Sequence, residues 1–199
     1  MGSETIPNYR YISCDDHVLE PPETYSKRVP ARFKEVAPRI ERIDGSDMWV
    51  AEGAPIRAAQ IPAAPGVGRS RSNNLTYDNI PPGVWKAEAR LKDYDKAKVY
   101  AAALFPDMLP GFSGNPFSFF KDIELRRLCV RAYNDILAEE FYAVNPKRFI
   151  PIGIIPAWSV VECVEEVKRI ARLGHKGILW GNSARLFKLD VEKIFSNLH

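Results

Sequence analysis

Short runs of apolar residues alternate along the chain with longer stretches whose apolar positions recur at helical spacing. The runs lie at Tyr11–Cys14, Tyr100–Phe105, Phe149–Ile155 and Lys176–Trp180. They are nearly continuous rather than alternating, which is typical of strands buried on both faces of a parallel sheet. The pattern therefore predicts an α/β fold in which helices connect parallel strands.

Three segments have helical periodicity: 86–97, 123–144 and 159–173. In the third segment, Ser159 and Glu162 form a capping-box pattern, and Gly174 supplies a left-handed residue at the end. The predicted buried faces are formed by Ala87, Leu91 and Tyr94 in the first segment, by Leu125, Leu128, Cys129, Ala132, Ile136 and Leu137 in the second, and by Val160, Val164, Val167 and Ala171 in the third.

Residues 36–83 interrupt this alternation. Two apolar stretches flank the Asp44-Gly45 dipeptide, a turn signal that predicts a β-hairpin. From Ala54 onward the segment is rich in Pro, Gly, Ser and Arg and has no periodicity, so we predict a loop. We therefore expect one domain over residues 1–199, in which 36–83 form a hairpin and flexible loop inserted after the first strand.

Composition and charge narrow the classes of function. The 199 residues are 46% apolar and 27% charged, as in ordinary globular proteins. The net charge of +3 is too balanced to indicate nucleic-acid binding, and the apolar runs are far shorter than the roughly 20 residues that span a bilayer. The three cysteines lack CxxC spacing, which argues against a disulfide framework or a structural zinc site. The start of the sequence lacks the layout of a signal peptide. We therefore expect a cytoplasmic protein without nucleic-acid or membrane partners.

The end of the first predicted strand carries the clearest candidate chemistry. Asp15 and His17 are two residues apart, so alternation along a strand points both side chains to one side and that of Asp16 to the other. A carboxylate and an imidazole in this arrangement can share one divalent metal ion. The spacing alone leaves a second interpretation open, namely a charged turn that follows a strand.

From about Tyr11 to Phe187 the chain resembles the amidohydrolase-related superfamily in four segments: ISCDDHVLEPPETYSKRVPARF, ARLKDYDKAKVYAAALFP, EFYAVNPKRFIPIGIIP and LGHKGILWGNSARLF. The similar branch includes aminocarboxymuconate-semialdehyde decarboxylase and aromatic-acid decarboxylases. The resemblance implies a (β/α)8 TIM barrel with one divalent metal, usually zinc and sometimes manganese, that hydrolyses or decarboxylates small organic acids. It also implies that Asp15 and His17 are metal ligands. The chain departs from the family's pattern at Lys98, where the family ordinarily has glycine.

Only part of such a barrel fits into this chain. A complete barrel needs about 250 residues, and once the insertion is set aside the 199 residues suffice for about four βα units. We therefore expect a partial (β/α)8 TIM barrel with a β-hairpin and loop insertion after the first strand. The ligands and base that the family adds later, two histidines and an aspartate, would lie beyond His199. His175 precedes the fourth strand, so we expect it to be a cap or to face solvent.

Five further residues are candidates for substrate binding. Glu20 follows the candidate ligands by three residues, and Asp107, Trp158 and Asn182 lie at the C-terminal ends of predicted strands, where barrel active sites are built. Arg185 has the planar guanidinium that pairs with a substrate carboxylate. The alternative interpretations are turn formers, a core tryptophan and a surface arginine.

Two functions are compatible with these features. The first is the N-terminal portion of a metal-dependent hydrolase or decarboxylase that acts on a small organic or aromatic acid. The alternative is a non-catalytic half-barrel module that pairs with itself or with a second chain. A half barrel has open sheet edges and an uncovered apolar face, which drive association, so we expect a homo-oligomer or a complementing C-terminal half. These residues do not distinguish hydrolysis from decarboxylation.

Overall fold

A computed structural model describes residues 11–58, 75–107, 109–110 and 115–178. Its strands are β1 (Tyr11–Val18), β2 (Arg39–Ile43), β3 (Ser46–Ala51), β4 (Ala54–Ala58), β5 (Val99–Pro106), β6 (Phe149–Gly153) and β7 (Gly177–Ile178). Its helices are α1 (Ala87–Ala97), α2 (Ile123–Ile136), which continues as a π-helix over Leu137–Tyr142, and α3 (Val160–Arg172). In this part of the chain no helix is both long and apolar enough to cross a membrane.

The main sheet contains four parallel strands in the order β1-β5-β6-β7. His17 pairs with Phe105 across the first two strands, and Ile152 pairs with Gly177 across the last two. The predicted parallel sheet with sequential strand order is therefore confirmed. The last two residues of the fourth predicted run, 179–180, lie outside the described residues.

A second, three-stranded antiparallel sheet is formed by β2, β3 and β4. The predicted hairpin is present, and Asp44 and Gly45 at its turn both have positive φ. The prediction of a loop from Ala54 onward is wrong over β4, which pairs with β3. Glu52 and Gly53 also have positive φ and make a second tight turn, a signal that the Pro-rich composition obscured.

The second sheet packs on the same hydrophobic core as the first. Trp49 is fully buried in the cluster that includes Val18 and Leu104 of the parallel sheet. Its ring meets that of Tyr25 edge to face, with 5.5 Å between centroids. Asp47, also buried, accepts a hydrogen bond from the Tyr77 backbone amide at 2.8 Å. The chain that returns from the insertion is thereby held against β3.

Helix α1 presents a more polar face to the interior than its pattern predicts. Ala87 and Tyr94 are buried as expected, and the third buried residue is Arg90, whereas Leu91 is half-buried. Lys98 ends the helix in the left-handed conformation, with φ 60°. A non-glycine residue there costs roughly 1 kcal/mol relative to glycine.

Helix α3 begins as predicted but buries a different face. Ser159 accepts a hydrogen bond from the Glu162 amide at 3.4 Å, and Gly174 follows with φ +94°. Val160 and Ala171, which we expected inside, are exposed. The face rotates because a carboxylate is buried together with its partners. The buried residues of the helix are Cys163, Glu166, Val167 and Ile170.

A buried polar cluster between α2, α3 and β6 explains that rotation. Glu166, 2% exposed, accepts hydrogen bonds from Asn134 Nδ2 and Arg169 Nη2, each at 2.7 Å. His175 donates from Nε2 to the Asn134 carbonyl oxygen at 3.0 Å. The expectation that His175 caps a helix or faces solvent is wrong, because it is 9% exposed and lies inside this cluster. Burial, the largest cause, lowers its pKa to about 4.

Candidate metal centre

The C-terminal end of β1 brings Asp15 and His17 together. His17 Nε2 lies 3.3 Å from Asp15 Oδ1, so both side chains extend to the same side of the strand. The Asp15 side chain is 72% exposed and that of His17 is 30% exposed, and both line one open cavity. This contact agrees with the expected direction of the two side chains.

The other ring nitrogen of His17 fixes its tautomer. His17 Nδ1 lies 2.8 Å from the carbonyl oxygen of Pro106 at the end of β5. A carbonyl only accepts hydrogen bonds, so Nδ1 carries a proton and donates it to Pro106, while Nε2 is the ring nitrogen that faces the Asp15 carboxylate. An imidazole nitrogen and a carboxylate oxygen are both donor types that bind zinc and similar divalent ions, and a histidine whose other nitrogen is fixed by a carbonyl is oriented for that role, so the pair fits a divalent metal ion.

Asp16 turns to the opposite side, towards α1. Its Oδ2 accepts a hydrogen bond from Arg90 Nη1 at 2.8 Å and a second one from the Tyr94 hydroxyl. Burial first, and then the charge of Asp16, raise the pKa of Tyr94 above its ordinary value. The tyrosine therefore stays a donor, and Asp16 is held away from the candidate ligands.

A cavity of about 340 Å³ opens beside the pair. Its wall includes Asp15 and His17 from β1, Asp107 just after β5, and Arg90 and Asp93 from α1. Carboxylates, an imidazole and a guanidinium from three elements thus meet at the C-terminal ends of adjacent parallel strands. Asp107 is the candidate substrate residue that the structure brings to this cavity among those in the described ranges.

Glu20 lies below this edge rather than at its surface. Its side chain is fully buried, and Oε2 accepts a hydrogen bond from the Leu109 amide at 3.4 Å. Burial raises the pKa of Glu20 to about 8, and Asp107 adds to that increase. The Glu20 backbone carbonyl also accepts a hydrogen bond from the Tyr77 hydroxyl at 2.6 Å. Glu20, predicted as a substrate contact or as a charge that starts a turn or helix, thus links the ends of β1 and β5 from inside the fold.

The remaining candidates divide into one packing residue and two outside the described ranges. Trp158 is half-buried against the core and donates from Nε1 to Glu162 Oε2 at 3.0 Å. That contact spans the first turn of α3 and corresponds to the core-tryptophan interpretation. Asn182 and Arg185 lie outside the described residues.

The candidate centre contains two protein donors. In the described ranges no group of three or more His, Cys, Asp or Glu side chains could hold a metal ion. A catalytic zinc site normally has three protein ligands. Asp15 and His17 therefore make up part of a coordination shell.

Sequence analysis missed Arg90, which contacts the backbone of this site. The sequence contained a signal for its burial: Arg90 is three residues after Ala87 and four before Tyr94, which places it on the buried face of α1. An arginine on an apolar face needs a carboxylate partner, and Asp16 is the carboxylate that alternation turns to the side opposite the ligand pair.

No family model matches the chain. An amidohydrolase from Mycobacterium avium subsp. paratuberculosis K-10 matches with a TM-score of 0.65 and 20% identity, over 86% of this chain and 49% of that one. A 5-carboxyvanillate decarboxylase from Novosphingobium aromaticivorans DSM 12444, with bound manganese and 3-methoxy-4-hydroxy-5-nitrobenzoic acid, matches with a TM-score of 0.51 and 20% identity. That match covers 89% of this chain and 42% of the decarboxylase.

The chain thus spans about half the length of the solved structures that it matches. The part of the chain that is described forms an open parallel sheet and not a closed barrel. The partial TIM barrel and the resemblance to amidohydrolase-related proteins are therefore confirmed at the level of the fold.

Proposed function

We propose that this chain is the N-terminal portion of a metal-dependent amidohydrolase-related enzyme that hydrolyses or decarboxylates a small organic or aromatic acid. One observation carries the proposal: His17 Nε2 lies 3.3 Å from Asp15 Oδ1, while Nδ1 of the same ring donates to the Pro106 carbonyl. An imidazole oriented by a backbone carbonyl is the usual form of a metal-ligating histidine.

Asp15 and His17 would hold a divalent ion, zinc in the first place or manganese. When bound, such an ion supplies Lewis-acid chemistry, which stabilises negative charge on a substrate oxygen. Asp107, in the wall of the same cavity, would contact the substrate, and Arg185 remains a predicted partner for its carboxylate.

Association with a complementing half is part of the same proposal. Tyr11 and Ile12 on β1 are 59% and 60% exposed, although continuous apolar strands of this kind are normally buried on both faces. The outer edge of β1 pairs with no strand in the described ranges. A C-terminal half or a second copy would cover this edge. We also propose a cytoplasmic location, which is supported by the three free cysteines.

Metal titration of the purified chain tests the ligand assignment. We expect weak binding of Zn²⁺ and Mn²⁺ by calorimetry, because two ligands leave most of the shell to water. Binding should disappear in Asp15→Asn and His17→Gln. Asp93→Asn is the matched control, since Asp93 is a carboxylate in the same cavity wall but is separate from the pair. Equal binding by wild type and His17→Gln would overturn the assignment.

Activity of the isolated chain gives a second, independent test. We expect negligible turnover of a hydroxybenzoate-type acid and of an activated ester, because the described residues supply two metal ligands and no assigned base. Submicromolar zinc affinity together with multiple turnovers, both lost in His17→Gln, would show that the chain completes its own site. Light scattering on the same sample measures its oligomeric state.

A further inference from the structure

Arg90 is a buried cation that uses its whole guanidinium at the end of β1. It is 5% exposed, and its three nitrogens donate to four acceptors. Nε donates to the Gly83 carbonyl, Nη1 to Asp16 Oδ2, and Nη2 to the carbonyls of His17 and Val84, all at 2.8 Å. Two consecutive residues of β1 are therefore held by one side chain.

We propose that Arg90 is a positioning residue that keeps the His17 ring aimed at Asp15, and this inference rests on the proposed function of that pair. The argument is geometric. Side chains alternate along a strand, so holding the Asp16 carboxylate against Arg90 of α1 holds the side chains of its two neighbours, Asp15 and His17, on the opposite face of β1. Arg90 also fixes the peptide that joins His17 to Val18, because it binds the carbonyl oxygen of His17 itself.

His17 is thereby held at two separate points. Arg90 holds its backbone from α1, and the Pro106 carbonyl holds its ring from β5. The ring can keep its hydrogen bond to Pro106 only while the backbone stays in register with the end of β5. A shift of the backbone would release Nδ1 and allow the other tautomer, which places a proton on Nε2.

The loop before α1 is shaped to reach the guanidinium. A Cβ on Gly83 would meet the end of the Asp93 side chain, which would have to turn away, so the loop and α1 approach each other closely here. The loop is also joined to β1, because the Leu19 amide donates to the Val84 carbonyl at 3.0 Å. Lysine could replace the charge of Arg90 but not its fork, since an ammonium group is a point donor on a flexible stem.

Nitrogen NMR of the imidazole rings tests this directly, because the chain has only three histidines. At mildly alkaline pH we expect wild-type His17 to carry its proton on Nδ1, as its hydrogen bond to Pro106 requires. In Arg90→Lys the two His17 nitrogen shifts should move towards a mixture of tautomers. His175, buried in the distant cluster, is the internal reference and should not change.

Broadening of the His17 ring signals by added Mn²⁺ supplies the affinity. We expect Arg90→Lys to weaken the apparent affinity by about 10- to 100-fold, as is typical when a residue that orients a metal ligand is lost. Arg148→Lys is the matched control. Arg148 also bridges a carboxylate, Asp95 at 2.9 Å, and a backbone carbonyl, Val99 at 3.0 Å, but it does so at the opposite end of the sheet.

The inference is overturned if Arg90→Lys leaves the His17 shifts and the Mn²⁺ affinity at wild-type values, or if Arg148→Lys moves them equally. Should wild-type His17 show no broadening by Mn²⁺, the proposed metal centre fails, while the tautomer comparison still decides the role of Arg90. If the His175 signal shows that Arg90→Lys is unfolded, Asp16→Asn replaces it. That variant removes the charge that Arg90 holds, so the same shift is expected, smaller in size.

Discussion

Each of the two described histidines has one ring nitrogen bound to a backbone carbonyl, but the second ring nitrogen lies in a different environment in each. His17 donates from one ring nitrogen to the carbonyl of Pro106, and His175 donates to the carbonyl of Asn134. The second nitrogen of His17 faces the exposed carboxylate of Asp15 at the mouth of a cavity. The second nitrogen of His175 is buried without a hydrogen-bond partner in the structure. Capacity for metal chemistry therefore depends on what the second nitrogen meets.

The carboxylates of the two regions differ in the same way. Glu166 beside His175 is 2% exposed and is saturated by Asn134 and Arg169, so its contacts stabilise the packing of α2 on α3. Asp15 is 72% exposed and contributes little to packing. One cluster is built for stability and the other for access by a ligand, which predicts different responses to mutation.

The largest effect is expected from removing the buried carboxylate. Glu166→Ala leaves Asn134 and Arg169 without their partner and should lower the free energy of unfolding by about 3–5 kcal/mol. Asp15→Ala should change it by less than about 0.5 kcal/mol, because the side chain is exposed. Urea denaturation of both variants measures the difference. Equal losses would show that the two clusters are not distinct.

The pH dependence of stability should separate the two histidines next. Burial first, and the positive charge of Arg169 in addition, lower the pKa of His175 to about 4 from the ordinary 6.5. Between these values the unfolded chain binds the proton and the folded chain does not, so stability is lost as the pH falls from 6.5 to 4. The loss attributable to His175 is about 3 kcal/mol, from about 1.4 kcal/mol per pKa unit.

Comparing variants isolates this contribution from that of Glu20. The pKa of Glu20 is raised to about 8, so the folded chain binds its proton more tightly and stability falls as the pH rises from 4.5 to 8. That opposing slope is common to all variants. Urea midpoints from pH 4 to 7 should lose the His175 component in His175→Asn and retain it in His17→Asn. If His175→Asn still lost stability as the pH falls, the pH dependence would belong to another titratable group.

A smaller effect is expected where β6 passes the buried cluster. A Cβ on Gly153 would lie 2.5 Å from Ile170 Cδ1 and 3.2 Å from His175 Nδ1. Gly153→Ala should therefore destabilise the chain by about 1–3 kcal/mol through overpacking. A Cβ on Gly53 would meet no atom within 4 Å, so the only cost of Gly53→Ala comes from the positive φ of that residue. We expect this variant to lose about 1 kcal/mol of unfolding free energy. Thermal unfolding of these two glycine variants tests whether the buried cluster around Glu166 and His175 is packed as tightly as this geometry requires.

Residues with local signals were predictable from the sequence, and buried charges were not. Continuous apolar runs located the parallel strands, and period-two alternation placed Asp15 beside His17. A binary pattern assigns charge to the surface, so Arg90 and Glu166 were misplaced. Each is buried beside at least one partner that lies far away in sequence: Asp16 is 74 residues from Arg90, and Asn134 is 32 residues from Glu166. Such pairs form only when the elements pack.

The smallest predicted effect separates stability from site geometry. Lys98 holds φ 60° at the end of α1, a conformation that glycine adopts without the steric cost of a Cβ. Lys98→Gly should therefore raise the free energy of unfolding by about 0.5–1 kcal/mol, part of which is offset because glycine has more freedom in the unfolded chain. Lys98 precedes the start of β5, whereas His17 contacts the other end of that strand at Pro106. If the candidate metal centre is set by local contacts, the urea midpoint should rise while the His17 nitrogen shifts and the Mn²⁺ affinity stay at wild-type values. A change in either would mean that the ligand pair follows global stability, and the contrast between the two histidines would then be one of rigidity rather than of chemistry.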